Sequence, residues 1–312
     1  MRQPLEIMDN YQRSLHAIRD LHRPTGGFSY RQNENARPDS TAWAIITLSA
    51  FGRDGETCEE GRNYLQKQQD TEGRLSISPD YPQASWPTPL AILAWNTSAH
   101  YQKEKDLAIQ FLINFSGRHF PKDANSITGH DPSIKGWPWI ADTHSWIIPT
   151  GLAILALQST GVTHQRVIEG QHMILDRQLA HGGWNYGNTT VFGKEVLPLP
   201  ECTGVALQAL SNTPDTTLIE KSLEYLIKEL PNLHTPISLG WALLGLGAWG
   251  MKPSHSDELI IESLHLQKKY GPFPLPSLAL LLCAAQAPNG FHSLFPKHKN
   301  FEKHATRQGS LS

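Results

Sequence analysis

Self-similarity limits this chain's fold more than any other feature. Thr41-Ala-Trp-Ala44, Thr88-Pro-Leu-Ala91, Thr150-Gly-Leu-Ala153 and Thr203-Gly-Val-Ala206 share one frame. Four places after each alanine stands a large apolar residue: Leu48, Trp95, Leu157 and Leu210. Ala242 with Leu246, and Ala279 with Cys283, keep the alanine and its partner and bring the copies to six. A period of this length marks an array of supersecondary units that bury their apolar faces against one another.

The segments around these frames, such as "TAWAIITLSAF", "PTGLAILALQ", "SLGWALLGLGAW" and "SLALLLCAAQ", are apolar nearly all round. Helices without a polar face belong inside a protein. Between them lie charged, amphipathic stretches at 5–22, 56–69, 102–115, 163–179, 215–230 and 256–268. "LIEKSLEYLIKEL" shows their i, i+3, i+4, i+7 spacing most clearly. The order is therefore polar helix then apolar helix, six times. An all-α fold follows, an α/α toroid of six outer and six inner helices over residues 1–290, with a poorly ordered tail at 291–312.

A second element follows the polar helices. Gln178-x3-Gly182-x-Trp184 recurs as Gln69-x3-Gly73-x-Leu75, Gln267-x3-Gly271-x-Phe273 and, with His22 in place of Gln, as His22-x3-Gly26-x-Phe28. The distance from its last residue to the next repeat Thr is 13 residues in two copies, 28 to 41 and 75 to 88. Inner-to-outer connections are short and carry helix breakers, whereas outer-to-inner connections are long, about 23–38, 70–84, 116–142 and 180–198. Long loops in a compact domain usually serve function. The site is thus expected where they gather, at the N-termini of the inner helices.

The bulk numbers exclude several classes. Lys and Arg total 27 against 29 Asp and Glu, with no sustained run of either sign, so no nucleic-acid footprint exists. No stretch reaches the length of a membrane span, and the mildly basic tail Lys297–Arg307 implies at most a peripheral membrane contact. The N-terminal stretch lacks an apolar h-region. Cys58, Cys202 and Cys283 are widely spaced. Reduced thiols and a cytoplasmic location are the expectation.

"QLAHGGWNYG", "GWPWIADTHSWIIPTGLAILAL" and "GGFSYRQNENARPDSTAWAIITLSAFG" resemble the QW and Trp-rich repeats of squalene and hopene cyclases. Over about residues 5–290 the chain is similar to the terpene cyclase and protein prenyltransferase superfamily. The resemblance implies an α/α toroid and an isoprenoid or other hydrophobic substrate, cyclised or transferred in a central cavity. It also implies that the repeat glutamine bonds free backbone groups while its aromatic ring pins the loop. At one domain's length, the chain matches half of a hopene-type cyclase, and the resemblance leaves room for a second subunit or protein partner.

Class II members carry a D-x-D-D-T-A motif whose central aspartate protonates an alkene or epoxide. The resemblance puts Asp39 on that position, with Arg37 and Ser40 replacing the first and last aspartates. Arg37 is expected to hold Asp39 ionised and lower its pKa, and Pro38-Asp39-Ser40 also reads as an ordinary helix cap. Behind Asp39 stand Asp142, Glu201 and Cys202 as candidate catalytic groups. Asp142 is also expected to cap the third inner helix, with His144 turning into the loop.

Protein prenyltransferases hold zinc with an Asp-x-Cys pair and a distant His. Glu201-Cys202 and His234 come nearest, but carboxylate and thiol are adjacent rather than spaced by one. No cofactor or metal is therefore expected. Trp43, Trp86, Trp137, Trp139 and Trp146 lie on or before inner helices and, with Trp184 and Tyr186, are candidates to line an apolar site. Two other functions compete. One is a non-catalytic toroid binding a peptide or protein. The other is a carbohydrate-active α/α barrel using Asp142 and Glu201 across an aromatic cleft.

Overall fold

A computed structural model describes residues 4–122, 129–213 and 215–296. The inner helices are α2 (Pro38–Ala50), α4 (Pro87–Trp95), α6 (Ile147–Ser159), α8 (Pro200–Ala209), α10 (Pro236–Ala248) and α13 (Leu275–Gln286). All six carry proline in the first turn, at the first or second position except in α6, where Pro149 is third, and there a missing N–H costs nothing. The outer helices are α1 (Pro4–Arg19), α3 (Glu56–Gln68), α5 (Gln102–Asn114), α7 (Gln165–Asp176), α9 (Glu220–Glu229) and α11 (Ser256–His265). A single-turn α12 (Gln267–Tyr270) follows α11, and a small antiparallel hairpin, β1 (Thr190–Val191) with β2 (Lys194–Glu195), interrupts the fourth long loop.

Each inner helix touches the next, and α13 returns to α2, so the ring closes as an α/α toroid. Small residues set the closeness of the helices. A side-chain carbon on Gly204 of α8 would overlap the Trp241 carbonyl of α10. At the seam, Thr47 Oγ1 donates to the Trp43 carbonyl and lies 3.3 Å from both the Ala279 carbonyl oxygen and Cys283 Sγ. All three cysteines are buried and free. No helix of the described residues is long and apolar enough to cross a membrane.

The repeat threonine has a structural task. Thr41, Thr88, Thr150 and Thr203 accept, at Oγ1, the backbone N–H of Phe28, Leu75, Trp137 and Trp184 at 2.8–3.0 Å. This bond ties each long loop back to its inner helix and explains the 13-residue spacing, which Trp137 to Thr150 also obeys. The fourth interval is 19 residues because the β1–β2 hairpin is inserted there. Thr88→Val keeps the shape but strands the buried Leu75 N–H. The expected loss is about 1–3 kcal/mol, read as a lower denaturation midpoint at unchanged slope.

The repeat glutamines act at the same loops. Gln69 Nε2 donates to the carbonyls of Gly73 and Glu104, and Gln267 Oε1 accepts the Phe273 N–H. Gln178 instead donates to the Ser222 hydroxyl, which also takes the Gly183 N–H.

The domain boundary expected after residue 290 needs correction. Phe291–Leu294 forms a 3₁₀ turn, and Phe291 is fully buried at the narrow end of the ring. The buried Gln208 holds this plug, donating to the Leu244 carbonyl and accepting the Phe291 N–H. Apolar residues of the segment, not only of the helices, complete the core. The basic stretch Lys297–Arg307 lies outside the described residues.

Candidate functional site

The inner helices share one register, so equivalent repeat positions form layers along the axis. Trp43 and Trp241 sit two places after the repeat Thr position and meet edge to face, ring centroids 6.1 Å apart. Both pack on Phe291, at 5.7 and 5.9 Å. The equivalent residues Leu90, Leu152, Val205 and Leu278 are buried as well. This layer closes the axis and forms a floor.

One turn nearer the mouth, four residues earlier on the same helix faces, lie Asp39, Trp86, Ile148, Glu201, Ile237 and Pro274. Ile237 is exposed and all the others except Asp39 are half-buried, so this upper layer is the wall of a shallow bowl open to solvent. It is apolar apart from two carboxyl groups. In the ring order α2, α4, α6, α8, α10, α13, Asp39 and Glu201 belong to opposite helices.

Asp39 is 1% exposed. It is not the helix cap: Arg37 occupies that place, and Asp39 sits inside the first turn of α2. Arg37 Nε and Nη2 donate to its two carboxyl oxygens at 3.0 and 2.9 Å, and the guanidinium lies 4.6 Å above the Tyr30 ring. The expected net lowering of its pKa is also corrected. Burial pushes the Asp39 carboxyl above its ordinary value, and the Arg37 charge and hydrogen bonds only oppose that rise. Glu201, across the bowl, accepts a 2.8 Å hydrogen bond from Ser238 Oγ on α10.

The other candidates separate into wall, rim and mouth. Cys202 is buried in α8, and burial with the Glu201 charge pushes its thiol up, away from the reactive thiolate. Trp137 and Trp184 are buried behind the bowl rather than in it. Their indole N–H groups donate to the Leu112 and Ile174 carbonyls, so they pin loops to outer helices. Asp142 is exposed with a left-handed backbone (φ 60°) in the loop, four residues ahead of the Trp146 cap, and does not cap α6. His144 is likewise an exposed loop residue.

Trp86 and Trp139 meet edge to face at 5.6 Å on the mouth side, both half-buried, and Trp146 is half-buried beside them in sequence at the start of α6. Tyr186 is half-exposed on the loop whose carbonyl accepts the Ile147 N–H. No group of three His, Cys, Asp or Glu among the described residues has the geometry of a metal site, and His234 is an exposed loop residue.

Two features of the site escaped sequence reasoning. Phe291 looked like the start of a tail, and only the apolar "FHSLF" against a polar background marked it. Ser238 falls nearer than His234 to the place of the prenyltransferase histidine, but nothing in the sequence announces its bond to Glu201.

No protein-family model matches the chain. No curated protein matches it either. Among solved structures it is similar to a variant of the type II terpene cyclase MstE from Scytonema in complex with geranylgeranyl dihydroxybenzoate. The TM-score is 0.60 at 11% identity, covering 93% of this chain and 100% of that one. A protein from Actinoplanes gives a TM-score of 0.61 at 13% identity over 90% of this chain and 99% of the other. An inactive variant of an α-1,6-mannanase of Salegentibacter in complex with α-1,6-mannotriose gives 0.58 at 12% identity, over 93% and 99%. At such identities the likeness shows the fold, an α/α toroid, and does not carry an activity.

Proposed function

We propose that the bowl at the mouth of the toroid binds an isoprenoid or comparably apolar substrate, with Asp39 as its proton donor. The observation that carries this reading is a buried carboxyl group one turn above three mutually packed aromatic rings, Trp43, Trp241 and Phe291. Protonation of a terminal alkene carbon by Asp39 moves the π electrons into the new C–H bond and leaves a tertiary cation. The floor is built of aromatic rings, whose quadrupoles attract positive charge. The carboxylate left behind keeps two charge-assisted bonds from Arg37. A neighbouring double bond then closes on the cation, loss of a proton to water at the open mouth ends the sequence, and a proton from solvent restores Asp39.

Incubation with farnesyl, geranylgeranyl and squalene substrates tests this directly. Removal of a general acid costs about 10²–10⁴-fold, so Asp39→Asn is expected to lose at least about a hundredfold in turnover. Turnover unchanged in the variant would sink the assignment. Mannooligosaccharides serve as the second substrate class. Their hydrolysis would instead favour Asp39 and Glu201 as an opposed carboxylate pair, although the apolar wall of Trp86, Ile148, Ile237 and Pro274 offers a sugar few hydrogen bonds.

A second reading, a non-catalytic toroid for a protein partner, draws on the filled axis and on Phe192, 99% exposed at the tip of the β1–β2 hairpin. No turnover together with no stabilisation by any isoprenoid would favour it.

A further inference from the structure

Only two of the six inner helices, α2 and α8, carry an acid in the first turn, Asp39 and Glu201. Asp39 gives both its oxygens to Arg37. Glu201 forms no ion pair with a described lysine, arginine or histidine. Arg177, which bonds the Tyr186 loop from behind, donates to the carbonyls of Ser145 and Gly187 instead. The polar partner of Glu201 is the Ser238 hydroxyl at 2.8 Å. A carboxylate offers about four acceptor sites, so one hydroxyl leaves most of that capacity open. The positive end of α8 offsets part of the charge, but neither it nor Ser238 brings a counter-ion.

Glu201 is also within reach of a ligand. It is half-buried rather than enclosed, and it stands in the wall of the open bowl between Ile148 of α6 and Ile237 of α10. Ile237 is 48% exposed, so the wall beside Glu201 is accessible apolar surface. Aromatic residues border the same stretch of rim. The Tyr186 carbonyl accepts the Ile147 N–H, which seats the Tyr186 loop on the start of α6. Burial, and then the Glu201 charge, push the half-exposed Tyr186 phenol up, as expected of neighbouring groups. A side-chain carbon on Gly187 would lie 3.3 Å from the Trp146 ring, so that ring borders the loop too. A carboxylate without counter-charge among aromatic and aliphatic side chains suits an alkylammonium. The carboxylate takes the charged N–H, and aromatic rings attract the positive charge spread over the flanking carbons. The same carboxylate repels an acid or a phosphate.

We infer that Glu201 selects a ligand with an ammonium head, whose apolar chain crosses the bowl toward Asp39. The inference rests on the apolar-substrate reading above and names the head group. With the head on α8, the far end of the chain lies on the opposite helix, α2, where Asp39 is the acid.

Calorimetric titration at pH 7 with geranylgeranylamine, geranylgeraniol and geranylgeranoic acid tests this, the amine being protonated there as a lysine is. The amine should bind about tenfold or more tightly than the alcohol, and the acid more weakly than the alcohol. Glu201→Gln keeps the size of the side chain and its acceptor for Ser238 but removes the charge. In that variant the amine should fall to the alcohol's affinity, with the alcohol unchanged.

Equal affinities for amine and alcohol in the native chain would overturn the inference, and so would an acid that binds tightest. An amine preference that survives Glu201→Gln would overturn it as well, since the rings alone would then hold the cation. If none of the three binds, the apolar-bowl reading fails by itself. Thermal melts in butylammonium chloride against sodium chloride then decide. Stabilisation by butylammonium that Glu201→Gln lacks upholds the ammonium site, and equal shifts in both proteins, or none, overturn it.

Discussion

Between pH 7.5 and pH 5 the protein is expected to lose a large part of its folding stability through two histidines, His292 and His130. Burial pulls both pKa values down to about 4, for His292 against a backbone hydrogen bond with Gln208 and for His130 with help from the Arg177 charge. In the unfolded chain both return to an ordinary value near 6.5. The unfolded state therefore binds more protons between about pH 6.5 and 4, so stability is full above that window and falls as pH falls through it. His292 accounts for on the order of 3 kcal/mol across the whole window, and the less enclosed His130, screened by solvent, for less. His292 belongs to the 3₁₀ turn that plugs the ring, and its Nε2 is buried without a partner, so a proton there has no acceptor. Denaturant titrations at pH 7.5, 6.5, 5.5 and 5 should show a steady fall. His292→Gln should flatten that slope by about half or more, and a slope unchanged in the variant would remove His292 from the account.

The toroid was legible because its information is periodic. Six apolar helices and the Thr frame repeat, and the 13-residue spacing is a single hydrogen bond, Thr Oγ1 to a loop N–H, written into the sequence again and again. Helix ends were less so: the outer helix expected from 215 begins at Glu220 as α9, because "TPDTT" favours turns over a helix start. The site was only half visible. Asp39 stood out because no other repeat copy carries an acid in an apolar helix start except Glu201, and their placement on opposite helices follows from the ring order. The balance at Asp39 was not visible, because burial is a property of the closed ring and outweighs the adjacent Arg37.

Tryptophans misled for a related reason. Composition says that Trp137 and Trp184 are large and apolar, yet their indole N–H groups find carbonyls on outer helices and draw the rings into the wall. Arg177 and Phe291 had no periodic partner at all, so nothing in the repeat announced them.

Phe291→Ala is expected to cost about 3–5 kcal/mol, because the ring is fully buried against Trp43, Trp241 and Phe295 and its removal leaves a cavity on the axis. The neighbouring helices cannot collapse into that space. Close contacts such as Gly204 on Trp241 already fix the distance between α8 and α10, and Gln208 holds the backbone of the plug from a separate element. The cavity should stay dry and apolar, and a small aromatic such as indole or toluene should recover part of the loss in the variant while leaving the native protein unaffected. The same variant tests the floor's role in function. With Phe291 gone, a ligand tail that parts Trp43 and Trp241 gains the space beneath them, so longer isoprenoid chains should gain affinity relative to shorter ones. Equilibrium denaturation with and without indole reads the first effect, and titration with farnesyl and geranylgeranyl ligands reads the second. A stability loss below about 1 kcal/mol would mean that Phe291 does not close the axis. A full loss with no change in chain-length preference would leave Phe291 as core and detach the ligand site from the floor beneath Asp39.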